Sequence, residues 1–200
     1  MPDTPTPATT SRSGEDRVWK IVAVVAGVAL VAFIVYVATR GPRSRPTAFP
    51  VTTVATLAPG SPAPAFALPR LGGGAPVTLS ATRGTPTVVN FFASWCPDCR
   101  SELGNFAALS ARTAGRVDII GIDANDADGA AARTLLASAG ATYPVGVDSQ
   151  AATATAYLLT ALPVTFFLDA RGRVVHVSYG TQSLAALTHW TDRLEKGAAA

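Results

Sequence analysis

The two cysteines of this 200-residue chain stand in the stretch NFFASWCPDCRSE, residues 90 to 102. Cys96 comes directly after an apolar run, and Cys99 falls inside the helical pattern that follows. At a helix start, free backbone N–H groups and the positive end of the helix dipole stabilise an anion, which lowers the pKa of a thiol below its free value of about 8.5. The pattern therefore predicts that Cys96 is a nucleophilic thiolate. Cys99, on the same helical face, would resolve the mixed disulfide.

Two other uses of the cysteine pair stay open. One is a structural disulfide, although a two-residue loop removes little chain entropy. The other is a zinc site, which would need two more ligands. The soft candidates are His176 and His189, on a predicted hairpin strand and on the last helix, and neither is spaced like a ligand. The strand-then-helix setting favours redox chemistry, so we predict no metal and no cofactor beyond a redox-active Cys96–Cys99 disulfide.

Charge is distributed unevenly along the chain. The formal net charge is +3 and the isoelectric point is about 9.2. Before residue 46 there are six Lys/Arg and three Asp/Glu, whereas residues 60 to 200 carry ten of each. The basic excess therefore belongs to the N-terminal segment, and nucleic-acid binding has little support.

The reason for this basic segment is the stretch IVAVVAGVALVAFIVYVA, residues 21–38, which contains no charge and no proline. As a helix it would be about 27 Å long, close to the thickness of a bilayer's hydrocarbon core. Trp19 and Tyr36 lie near its ends, where aromatic rings favour the headgroup region. We predict an uncleaved transmembrane anchor over residues 18–39. A cleaved signal peptide is the alternative, but the run is long for one and no A-x-A-like site follows.

The rest of the chain divides into a tail, a linker and a domain. Residues 1–17 are polar and predicted to be disordered, and residues 40–59 form a predicted Pro/Thr/Ala-rich linker. The folded domain is predicted over residues 60–197. Three basic residues flank the anchor on each side, so charge does not orient it. Because long domains translocate largely regardless of charge, we expect a single-pass protein of the cell membrane with an extracytoplasmic domain.

Within the domain, strand and helix patterns alternate. PAFALP and PVTL, around a glycine turn, predict a small hairpin, and TVVNFF and VDIIGI read as buried strands that are each followed by a helix. A short YPVGVD strand and an Ala-rich helix follow. VTFFLD and RVVHVSY predict an antiparallel hairpin, and the last helix runs over about 183–196. These elements predict a three-layer α/β sandwich.

WCPDC after an apolar strand, followed by ALPVTFFLDARGRVV, resembles the thioredoxin superfamily. More narrowly, the chain resembles the membrane-anchored TlpA, ResA and CcmG (DsbE) group, over most of residues 60–196. The resemblance implies a thioredoxin-like fold with an N-terminal β-hairpin and a central helix–strand insertion, after one transmembrane helix. It also implies a thiol-disulfide oxidoreductase that reduces exported proteins, for example apocytochrome c during cytochrome c maturation. A membrane electron donor of the CcdA or DsbD type would be its redox partner.

The resemblance assigns substrate contacts to three further residues. The proline that matches Pro163 is cis in the family and lies against the disulfide, and the backbone of the preceding residue, here Leu162, pairs with an extended substrate. An ordinary trans proline at a strand start is the alternative. Trp95, directly before the motif, is implied to shield the site. By contrast, we expect Trp190 in the last helix to serve packing.

The chain departs from thioredoxin at the position six residues before the nucleophile. Thioredoxin buries an Asp there as a proton acceptor, whereas Asn90 cannot titrate. Glu102, three residues after Cys99, matches a glutamate that the resemblance implies tunes the cysteines. We predict that Glu102 assists deprotonation of Cys99. The alternative is a solvated first-turn glutamate that the helix dipole favours.

The second departure is the acidic residue between the cysteines. A carboxylate beside a thiolate raises the pKa of the thiol and destabilises the reduced form. We therefore expect Asp98 to give a reduction potential nearer thioredoxin's than DsbA's, although Arg100 offsets part of its charge. Pro97 suits the first helical turn, because its missing N–H would be unpaired there.

Other functions stay open. The chain could be a dithiol oxidase, or a tethered copper-binding or interaction module that does not turn over. A peroxidase of the peroxiredoxin kind is disfavoured, because its P-x-x-x-T-x-x-C motif would need Pro and Thr where this chain has Val89 and Ala93.

The acidic run from Asp123 to Asp128 faintly resembles a calcium loop, but it lacks the required Gly and closing Glu. We interpret this run as a solvated loop with a helix cap at Asp126 or Asp128.

Overall fold

The computed structural model describes residues 15–40 and 57–197. The chain divides into two compact units, Met1–Thr53 and Val54–Ala200, which are taken separately below. The predicted tail (1–17) and linker (40–59) fall almost entirely outside the described residues.

The first unit contains one long helix, α1, Glu15–Arg40. Its segment Trp19–Tyr36 has a mean hydropathy of 2.3, and none of it is buried against other parts of the protein. Large apolar side chains point outward all round this segment, for example Ile21, Val28 and Phe33. By length and composition, this helix can cross a membrane.

The second unit begins with a two-stranded antiparallel hairpin, as predicted, and continues into a five-stranded sheet. The sheet order is β5-β4-β3-β6-β7, with β3, β4 and β5 parallel and β6 and β7 antiparallel to their neighbours. The elements are β1 Ala67–Leu68, β2 Val77–Thr78, a short 3-10 turn Leu79–Thr82, β3 Thr87–Phe92, α2 Pro97–Thr113, β4 Asp118–Ala124, α3 Gly129–Ser138, β5 Val145–Asp148, α4 Ala152–Ala156, β6 Val164–Leu168, β7 Val174–Tyr179 and α5 Leu184–Glu195.

Apolar cores lie on both faces of the sheet, which confirms the three-layer sandwich. On one face, residues of α2 and α5 such as Phe106 and Leu187 pack against β3 and β6. On the other face, Tyr157 packs against Phe91 and Phe166 with ring centroids 4.9 Å apart in both pairs. All six residues of β3 are buried, as expected for a strand covered on both sides.

The helix–strand insertion is also present, as α3 and β5 between β4 and α4. Asp128 caps α3 by accepting hydrogen bonds from the backbone N–H groups of Ala130 and Ala131. The first hairpin contacts β5, where Leu68 lies directly over Gly146. The N-terminal hairpin therefore shields the outer strand of the central sheet.

Candidate functional site

The cysteine pair sits where β3 passes into α2. Cys96 is the N-cap residue of α2, and its Sγ accepts a hydrogen bond from the backbone N–H of Cys99 at 3.2 Å. The two cysteines form a disulfide. Pro97 occupies the first turn. Cys96 keeps 4% of its surface exposed and Cys99 none, so Cys96 is the sulfur that a client can reach.

The segment in front of Cys96 is held from two sides. The backbone N–H of Ser94 donates to Asp126 Oδ2 at 2.7 Å, and the guanidinium of Arg100 donates to the Ser94 carbonyl oxygen through Nε at 3.0 Å and Nη2 at 2.7 Å. The indole N–H of Trp95 donates to the Asn125 carbonyl at 3.1 Å. The loop after β4 therefore fixes the approach to the nucleophile.

Glu102 lies in α2, three residues after Cys99, and is fully buried, so the alternative of a solvated glutamate is wrong. Its Oε1 accepts from Asn90 Nδ2 at 2.8 Å, and its Oε2 accepts from the backbone N–H of Gln182 at 2.7 Å. Burial raises the pKa of Glu102 from an ordinary 4.5 to about 7, although both hydrogen bonds lower it, and the charge of Asp98 adds to the rise. A carboxyl with this pKa can take up or release a proton near neutral pH.

Asn90 lies where thioredoxin has its buried Asp. Its Nδ2 also donates to Thr165 Oγ1 at 3.3 Å, so it links β3 to β6 as well as to α2. Asp98 is exposed in the first turn of α2, and its backbone carbonyl accepts from Thr181 Oγ1 at 3.3 Å.

Two of the three residues assigned to substrate contact, Trp95 and Leu162, border a common cavity. The Leu162–Pro163 bond is cis, as the resemblance implies. Leu162 and Trp95 line a cavity of about 210 Å³ together with uncharged residues from the loop after β4, from α4 and from the approach to β6. More than half of the Trp95 surface is exposed beside it. The lining residues are Trp95, Ala124, Asn125, Ala151, Ala154, Leu159, Thr160, Ala161 and Leu162.

The acidic run after β4 is not the solvated loop that we predicted. Asp126 is buried and accepts from the Ser94 N–H, and Asp123 is fully buried with no donor for either oxygen of its ionised carboxyl among the described residues. Burial, then the charge of Asp126 and a hydrogen bond to the Asp126 side chain, raise the pKa of Asp123 from 3.8 to about 7. The prediction failed because β4 runs two residues past the end of the predicted strand, so Asp123 is part of the buried strand rather than of the loop.

The histidines lie away from the cysteines. His176 stacks on Trp190 with ring centroids 3.6 Å apart, and burial lowers the pKa of His176. Trp190 also packs on Phe167, which confirms its structural role. Within residues 15–40 and 57–197, no three His, Cys, Asp or Glu side chains gather as a metal site would need.

Known proteins match this chain across the site. A family model described as the AhpC/TSA family matches residues 59–177, which include both cysteines and Pro163. A thiol:disulfide interchange protein DsbE from Pseudomonas fluorescens is 34% identical over 155 residues, 77% of this chain and 80% of that protein. The thiol-disulfide oxidoreductase ResA of Bacillus subtilis is 27% identical over 143 residues, 71% of this chain and 79% of that protein.

One relative and one solved structure extend the comparison. A DsbE homologue from Paracoccus denitrificans is 37% identical over 89 residues, so the match spans 48% of that relative, about half its length. The crystal structure of a thiol:disulfide interchange protein DsbE from Chlorobium tepidum has a TM-score of 0.64 at 28% identity, over 70% of this chain and 99% of that chain.

Proposed function

Since the chain belongs to the AhpC/TSA family and is a thioredoxin-like thiol-disulfide oxidoreductase of the DsbE and ResA kind, we propose that it reduces disulfides of exported proteins from a membrane-anchored position. The observation that carries the proposal is that Cys96 is the N-cap of α2 while Glu102, on the same helix, has a buried carboxyl. This arrangement supplies both an activated nucleophile and a nearby proton acceptor.

The reaction follows from these positions. In the reduced protein, the Cys96 thiolate attacks one sulfur of a client disulfide, the client's S–S bond breaks, and the departing sulfur takes a proton from water. Cys99 then passes its proton to Glu102 and attacks Cys96 Sγ, which releases the client's second sulfur as a thiolate. The client gains two electrons, the protein keeps the Cys96–Cys99 disulfide, and Glu102 returns its proton to solvent.

The surrounding residues take supporting roles in this proposal. Trp95, Leu162 and Pro163 receive the extended client segment beside Cys96, and the uncharged cavity that Trp95 and Leu162 line accepts one of its side chains. Pro97 and Asp98 tune the thiols from the first turn of α2.

The setting of the reaction is the outer side of the cell membrane. The apolar helix Trp19–Tyr36 would act as a single-pass anchor and keep the second unit extracytoplasmic. The names of its relatives, a thiol-disulfide oxidoreductase and a thiol:disulfide interchange protein, support proteins with disulfides as clients. The resemblance to the TlpA, ResA and CcmG group adds apocytochrome c as the leading candidate and a membrane protein of the CcdA or DsbD type as the source of electrons.

A dithiol oxidase is the second candidate, because the same cysteine geometry supports either direction of exchange. The negative charge of Asp98, next to both cysteines, favours the reductant, since it destabilises the thiolate form.

Two experiments test the proposal. Replacing Cys99→Ser removes the resolving thiol, so mixed disulfides with exported clients should accumulate on Cys96, and Cys96→Ser should trap none. Glu102→Gln should remove a step near pH 7 from the rate at which reduced protein is reoxidised by a model disulfide. The exposed Glu195→Gln is its matched control. An unchanged pH profile in Glu102→Gln would remove the proton-accepting role from Glu102.

A further inference from the structure

The loop between β7 and α5, residues 180–183, is fastened to α2 by three hydrogen bonds. Thr181 Oγ1 donates to the Asp98 carbonyl oxygen at 3.3 Å, and Asn105 Nδ2 donates to the Gln182 carbonyl at 2.9 Å. The third and shortest bond, at 2.7 Å, runs from the backbone N–H of Gln182 to Glu102 Oε2. Only this third bond ends on a group that titrates.

The two donors that hold the Glu102 carboxyl differ in how firmly they are placed. Asn90 is part of β3 and is tied to β6 through Thr165, so it is fixed by the sheet. Gln182 lies in a connecting loop, and Gly180 in the same loop has a positive φ of 76°. A carboxylate accepts N–H bonds more strongly than a neutral carboxylic acid, because the bond to a charged acceptor is shorter and about twice as strong. The Gln182 bond should therefore strengthen when Glu102 is ionised.

The other groups that face Glu102 come from every element around it. On its own helix the group is Asp98, whose charge acts on Glu102. From the segment before β5 comes Tyr143, whose pKa is raised first by burial and then by the charge of Glu102. The remaining neighbours are neutral hydrogen-bonding groups: Asn90, Thr165 and the main chain of Gln182. Of these, the Gln182 N–H is the one that a single substitution can delete while the sheet stays intact.

We propose that the backbone N–H of Gln182 is a positioning group that sets the proton affinity of Glu102, and that the hold of the 180–183 loop on α2 consequently weakens while Glu102 carries a proton. This rests on the proposed function, in which Glu102 takes the proton of Cys99. When Glu102 becomes protonated, the charge-assisted bond becomes a neutral one, and the hold of the loop on α2 weakens. When the disulfide forms and the proton leaves, the hold is restored.

The test uses the full chain in detergent micelles and the carboxyl carbon signals of labelled glutamate. The sequence has three glutamates, Glu15, Glu102 and Glu195, so the spectrum is simple to assign with Glu102→Gln. Gln182→Pro deletes the N–H and should raise the Glu102 titration midpoint by about one pH unit, a tenfold weaker acid. Gln182→Ala keeps the N–H and is the matched control, with the midpoint of the wild type. An unshifted midpoint in folded Gln182→Pro overturns the proposal.

A second measurement covers the case in which Gln182→Pro does not fold. In the wild type, the amide proton signal of Gln182 should shift with pH at the same midpoint as the Glu102 carboxyl carbon. A Gln182 amide signal that stays constant while Glu102 titrates overturns the proposal. Both readouts follow the protonation of Glu102 and do not depend on thiol chemistry. The proposed function is tested separately, by the effect of Glu102→Gln on the rate of reoxidation.

Discussion

Asp123 gives the sharpest test of the energetics of this fold. It is fully buried near the C-terminal end of β4, beside Phe92 in the parallel register, with no donor for its ionised carboxyl among the described residues. Burial and the charge of Asp126 hold its pKa at about 7 in the folded protein, against 3.8 ordinarily. An acid with a raised folded pKa binds its proton more tightly when folded, so the unfolded chain ionises first.

The sign and size of the effect follow from these two pKa values. Stability falls as pH rises from about 4 to about 7 and is then level, because above pH 7 both states are ionised. At 1.36 kcal/mol per pKa unit, the full loss is about 4 kcal/mol. About 2–3 kcal/mol of this loss falls between pH 5 and pH 8.

Asp123→Asn removes this titration while keeping the side-chain shape. Its buried amide adds a cost of about 1–3 kcal/mol, but that cost is the same at every pH and cancels when the difference from wild type is followed. We therefore expect the free energy of unfolding of the variant to rise by about 2–3 kcal/mol relative to that of the wild type as the pH is raised from 5 to 8. The titration of Glu102 is common to both proteins and also cancels.

The assay is urea unfolding of the Val54–Ala200 unit in its disulfide form, followed by tryptophan fluorescence from pH 5 to pH 8. Asp128→Asn is the control, because Asn also caps helices and Asp128 is exposed. The difference in free energy of unfolding between this variant and the wild type should be the same at every pH from 5 to 8. Parallel pH profiles for Asp123→Asn and wild type would refute the reasoning, since they would mean that folding leaves the proton affinity of Asp123 unchanged.

Three further outcomes are expected. Asp128→Ala deletes the cap of α3 and should lower the free energy of unfolding by about 1 kcal/mol, measured by urea denaturation. Gly146→Ala would place a Cβ 2.9 Å from Leu68 Cβ and 3.0 Å from Leu68 Cδ1, so it should destabilise by about 1–3 kcal/mol. Leu68→Ala in the same chain removes the Cδ1 contact and should recover part of that loss. Equilibration of the cysteine pair with glutathione should give a potential nearer thioredoxin's, about −270 mV, than DsbA's, about −120 mV. A value near DsbA's would remove Asp98 as a determinant of the reducing direction.

Much of the fold could be predicted because its signals are local. Four of the six residues in the run TVVNFF are large and apolar, and β3 has the predicted bounds. The N-cap position of Cys96 follows from the strand before it and from Pro97 after it, and Asp128 caps α3 through a short-range contact.

The parts that could not be predicted depend on contacts between residues far apart in the sequence. A glutamate in the second turn of a helix is usually exposed, and Glu102 is buried because a loop 80 residues later closes over it. Asp126 binds Ser94 across 32 residues, and no local pattern encodes that pairing. Burial of the acids is therefore a property of the assembled fold rather than of the motif.

The unequal exposure of the two sulfurs also decides how the protein withstands chemical damage. In the reduced protein, Cys96 is the more exposed of the two cysteines, so oxidation by hydrogen peroxide should begin there and give a sulfenic acid at residue 96. A neighbouring thiol condenses with a sulfenic acid and expels water, and the product is the same Cys96–Cys99 bond that ordinary turnover leaves behind. The buried second sulfur thus converts an oxidised Cys96 into the disulfide that the structure contains.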